Sequence, residues 1–73
     1  MNSRLLHAES IVFKDGSIIH DRDCFLLDRF LIVDSADPGD NPTYYNTDLI
    51  SVLKNVTAER RTKQGATPTI HFM

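Results

Sequence analysis

Apolar and polar residues alternate in short blocks along this chain, and the blocks rarely exceed four residues. Ile11-Val12-Phe13-Lys14 and Ser17-Ile18-Ile19-His20 flank Asp15-Gly16. Asp-Gly between two β-rich runs predicts a tight hairpin, because Gly accepts positive φ without a Cβ clash. Asp21-Arg22-Asp23 interrupts the pattern. Cys24-Phe25-Leu26-Leu27 and Phe30-Leu31-Ile32-Val33 follow, separated by Asp28-Arg29. As strands, these runs are apolar on both faces and suit a barrel wall whose outer face is covered. As a helix, the segment is apolar nearly all round. Periodicity does not separate the two, but the β-branched Ile-Val end and the upstream hairpin favour strands.

Residues 35–42, Ser-Ala-Asp-Pro-Gly-Asp-Asn-Pro, read as a loop. Thr43-Tyr44-Tyr45 resumes strand character. Residues 47–61 admit two readings. Thr47 can cap a helix in which Leu49, Val52, Leu53 and Val56 share one face. Alternatively, Thr47-Asp48-Leu49 is a turn and Ile50-Ser51-Val52-Leu53 a short strand. Local rules slightly favour the helix. Residues 57–73 read as a polar, basic tail with Gly65 and Pro68 as breakers. Thr69-Ile70-His71-Phe72 can add an edge strand there, including on a neighbouring subunit.

The 73 residues then form one small β domain over 1–56, followed by that tail. Leu, Ile, Val and Phe total 21, too many for a disordered chain. A core of this size is marginal, so self-association is the expected supplement. The single Cys24 has no internal disulfide partner. No signal peptide is visible and the longest apolar run is four residues, so the expectation is a cytoplasmic protein away from membranes.

Charge adds an asymmetry. The formal net charge of −2 hides a middle, residues 21–50, with seven Asp and two Arg. The C-terminal stretch 51–73 sets Lys54, Arg60, Arg61 and Lys63 against Glu59. The two regions can meet head to tail between subunits, or stand as unrelated solvated surfaces.

Several residue groups resemble the Sm-like family, which includes the Hfq-like RNA chaperones. Ile11-Val12-Phe13-Lys14-Asp15-Gly16 is similar to that family's first hairpin. Leu27-Asp28-Arg29-Phe30-Leu31-Ile32-Val33 resembles its aromatic-Asp-x-Phe-apolar run. Tyr45-Asn46-Thr47-Asp48-Leu49-Ile50-Ser51-Val52 resembles its closing Tyr, turn and Ile-Ser strand pair. The resemblance spans about residues 11–56. It implies a strongly bent five-stranded barrel, rings built by pairing edge strands, and binding of single-stranded RNA at the pore. The chain departs from the pattern in two places. Asn46 and Thr47 stand where the Hfq signature has Lys and His, and no Gly lies between Gly16 and Gly39.

Three function classes follow. The first is a non-enzymatic, homo-oligomeric binding or assembly module. The second is an RNA-binding ring in which Arg29, Tyr44 and Tyr45 stack on bases while Lys54, Arg60, Arg61 and Lys63 hold phosphates. DNA has no support. The third is a small Cys/His hydrolase or metal protein built on Cys24 with His7, His20 or His71. His20 and Cys24 are only two plausible metal ligands where three or four are needed, and burial beside Phe25 and Leu26 points to an inert thiol. Asp34, Asp37 and Asp40 read as turn formers, because a calcium loop needs wrapped oxygens and usually a closing Glu. Neither a cofactor nor a catalytic residue is expected.

Overall fold

A computed structural model describes residues 5–58 and 69–72. The chain is mainly β, as expected. It forms one curled antiparallel sheet, a half-barrel of six strands. These are β1 (Leu5–Phe13), β2 (Ile18–Leu27), β3 (Phe30–Val33), β4 (Thr43–Asn46), β5 (Ile50–Ala58) and β6 (Ile70–His71). Their order across the sheet is β4-β3-β2-β1-β5-β6. The sixth strand adds to the expected five. Among the described residues the sheet ends in two unjoined edges, β4 and β6.

The Asp15-Gly16 hairpin forms where expected. Gly16 has φ +98°, and the Phe13 N–H donates to the Ser17 carbonyl at 2.9 Å. The Asp15 carboxylate accepts from the Ser17 N–H and hydroxyl at 2.8 and 2.6 Å, so the turn is held by its own side chain. The loop between β3 and β4 also falls where Pro and Gly place it. There the Asp37 N–H donates to Ser35 Oγ at 3.1 Å, and Asp37 accepts from the Asp40 N–H at 3.2 Å.

The helix considered for 47–61 is a correction. Thr47–Leu49 is a single 3-10 turn capped by Asn46, whose side chain accepts from the Asp48 N–H, and Ile50–Ala58 is strand. The cause is a change of facing direction within β5. Ile50, Leu53 and Val56 are all buried, three residues apart, where a regular strand buries every second residue. One change lies between Val12 and Phe13 of β1, where the register against β5 shifts. The other lies at Asn55, which has φ +50°.

Asn55 belongs to a crease that crosses three strands. Glu9 of β1 stands between Asp21 of β2 and Asn55 of β5, and ladder pairing is interrupted at this row. Asp21 has φ +52°. Asp and Asn are the residues that best tolerate this left-handed conformation after Gly. Pairing resumes in the same register on both sides, so no residue is inserted. The inward face does change: Ala8 and Val56 are buried on one side of the crease, Ile11 and Leu53 on the other. His7 Nε2 lies 2.8 Å from Asp21 Oδ1, and Asn55 Nδ2 donates to the Glu9 carboxylate. The sheet thereby curls around one core of Ala8, Ile11, Phe13, Cys24, Leu31, Val33, Ile50, Leu53 and Val56. The expected break at 21–23 is this crease, and Cys24–Leu27 completes β2 instead of starting a new strand. β5 extends through Thr57 and Ala58, into the stretch read as tail.

Candidate binding surfaces

The Cys24–Leu27 end of β2 and the whole of β3 are apolar on both faces, as their composition demands. Leu26, Leu31 and Tyr45 are successive cross-strand partners on the core side. On the opposite side, Leu5, Phe25, Ile32 and Tyr44 form one row across β1 to β4, since directly opposed residues share a face. Ile32 is 2% exposed yet stands outside the main core, enclosed on this second face. Leu27 pairs with Phe30 beside that row, and Leu5, Leu27, Phe30 and Tyr44 are all exposed. The outer face is therefore an apolar surface with a small buried centre and an open rim.

The sheet edges differ. β4 is Thr-Tyr-Tyr-Asn, with no charge or Pro to discourage pairing by another strand. At the other end, β6 covers β5 only at Val52 and Leu53. Among the described residues, Lys54 to Ala58 have no partner on that side.

A groove of about 610 Å3 opens between the β1–β2 turn and the β4–β5 connection. Phe13, Ile19, Tyr45 and Leu49 supply its apolar lining. Lys14, Asp15, Ser17 and Asp48 supply its polar groups. Phe13 and Tyr45 contact each other with ring centroids 4.9 Å apart and planes tilted by 55°. The Lys14 N–H donates to the Leu49 carbonyl at 2.9 Å and ties the two walls together. Hydrogen bonds from Ser17 hold the Asp15 carboxyl below its usual pKa, so it is ionised at neutral pH. No short motif marks this groove, because its walls are about thirty residues apart in sequence and meet only through β1–β5 pairing.

The residues expected to hold RNA are dispersed. Arg29 is exposed in the β2–β3 turn, where its carbonyl accepts from the Thr47 N–H at 2.9 Å. Tyr44 is 62% exposed on edge strand β4. Tyr45 faces the other way, half-buried against Phe13. Lys54 is exposed on β5, which three strands separate from β4 in the sheet order. Arg60, Arg61 and Lys63 lie outside the described residues.

Cys24 is 1% exposed in the core, while His20 is exposed and has Nδ1 at 3.4 Å from Ser10 Oγ. Burial, reinforced by Asp23 and Asp34, pushes the Cys24 thiol up to about 11, so it stays protonated at neutral pH. Among the described residues, no group of three or more His, Cys, Asp or Glu is placed to hold a metal ion. No helix among them is long and apolar enough to cross a membrane. No family model, curated protein or solved structure matches the chain.

Proposed function

We propose that this protein is a non-enzymatic assembly and binding module that works as a cytoplasmic homo-oligomer. The observation that supports it most is the unprotected β4 edge, set beside the exposed Leu27, Phe30 and Tyr44. The four-residue β4 fits within the five uncovered residues of β5, Lys54 to Ala58, on a second copy. Such pairing is head to tail, so its closure makes a ring. It adds main-chain hydrogen bonds and brings the apolar outer faces of neighbours side by side. The Sm-like resemblance leads to the same arrangement.

Sedimentation at tens of micromolar tests this reading. A closed assembly of three or more chains is expected, and Tyr44→Lys, which puts a charge at the edge, should lower its mass. A chain that stays monomeric would overturn the proposal, and a two-fold dimer would overturn the head-to-tail arrangement.

Single-stranded RNA is the second reading, favoured by the exposure of Tyr44, which leaves its ring available to stack on a base. It requires retention of an oligonucleotide at low salt, weakening steeply as salt rises. Loss of that retention in Tyr44→Ala and Lys54→Ala would support it. Absence of retention would end it and leave the assembly reading standing.

A further inference from the structure

We propose that the groove between the β1–β2 turn and the β4–β5 connection binds a small organic cation with a flat apolar body, of the arylalkylamine class. Its volume of about 610 Å3 lies in the range of small-molecule sites. The apolar lining comes from four side chains, and one of them, Leu49, is 56% exposed at the opening. A flat apolar ligand removes that surface from water and packs on Tyr45, whose ring is already held against Phe13.

Charge selects among such ligands. The groove is lined by two carboxylates, Asp15 and Asp48, and one ammonium, Lys14. The balance is negative, beside aromatic rings whose faces also attract cations. An ammonium on the ligand gains from both, and a carboxylate at the same place is repelled. The walls are preformed. Asp15 is fixed by Ser17, Asp48 sits in the 3-10 turn capped by Asn46, and the Lys14–Leu49 backbone bond joins the two segments. Preformed walls keep the ordering cost of binding low. A monomer carries this groove as well as a ring does, so the inference does not rest on the assembly reading.

The chain has no Trp, so the anisotropy of an added indole can be followed directly. The probes are tryptamine and indole-3-acetate, which share a ring and differ in the sign of their charge. Tryptamine should bind with Kd on the order of 0.1–1 mM, and indole-3-acetate about ten-fold or more weakly. Asp48→Asn should weaken tryptamine about three- to ten-fold without weakening indole-3-acetate. Leu49→Ser should weaken both. Both substituted side chains are exposed, so neither variant opens the core. Equal affinity for the two probes, no tryptamine binding at millimolar concentration, or indifference to Asp48→Asn would each overturn the proposal.

Discussion

Strands β3 and β5 use apolar residues in opposite ways. β3 is four apolar residues, Phe-Leu-Ile-Val, that alternate strictly, Leu31 and Val33 facing the core and Phe30 and Ile32 the outer face. β5 is nine residues, and its inward face changes twice, so that every third position, Ile50, Leu53 and Val56, meets the core. A straight strand with two apolar faces builds a wall that others can lean on. A strand that changes face wraps one core and leaves most of its remaining positions polar, Val52 being a half-buried exception among them. The half-barrel needs both, β5 to bend and β3 to present.

Removing the wrapping side should cost most. Leu53→Ala deletes a fully buried side chain and should destabilise the fold by about 2–5 kcal/mol in urea titration. That is a large part of the whole for a chain this short, whose total stability is on the order of 4–11 kcal/mol. Phe30→Ser on the open rim of the wall should cost far less in folding. Equal losses from the two variants would erase the distinction between the strands.

The crease gives the next largest effect. Asn55→Val puts a β-branched residue at φ +50° and should cost roughly 1–2 kcal/mol, whereas Lys54→Val beside it, in regular strand, should stay within about 0.5 kcal/mol. Asn55→Gly, which relieves the backbone but loses the bond to Glu9, should fall between them. If Asn55→Val is neutral, the left-handed residue is not what turns β5.

Around neutral pH the smallest effect is the dependence on pH. Cys24 has a thiol pKa raised from 9.0 to about 11 in the fold. Its contribution is therefore fully present below pH 9 and is lost as pH rises through about 11, because the unfolded chain ionises first. Asp15 acts in the opposite sense. Its lowered pKa gives a contribution present above its ordinary value of 3.8 and lost as pH falls below it. Urea midpoints measured across pH should decline at both ends, and Cys24→Ala should flatten the alkaline limb.

These contrasts show what was readable in advance. The hairpin was legible because Asp15-Gly16 is a local turn signal whose geometry needs no distant partner. The loop of residues 35–42 was legible for the same reason. The apolar wall followed from composition, since eight apolar residues among ten must face both ways if they are strands. β5 was legible only as one of two readings, and only over Ile50–Leu53, because two changes of face give its apolar residues a spacing of three, close to the period of a helix. Nor was β1 from Leu5 onward, where Leu-Leu-His-Ala-Glu-Ser carries little β-branched signal and Ala8 is buried only by its partners Arg22 and Val56 and the curl of the sheet. The groove was invisible for a related reason, because it depends on a long-range pairing.

The crease also constrains how this chain can change in length. Three adjacent strands alter their facing direction at one row, with the same register above and below it. An insertion or deletion of one residue in any one of these strands would shift Glu9, Asp21 or Asn55 out of the row and turn apolar side chains outward along one arm. Compensation would require matching length changes in the two neighbours. Length variation is therefore channelled into the loop between Val33 and Thr43, which lies outside the creased strands, and comparison of related chains should find their insertions there while the spacing from Glu9 to Asp21, and the place of Asn55 within β5, stay fixed.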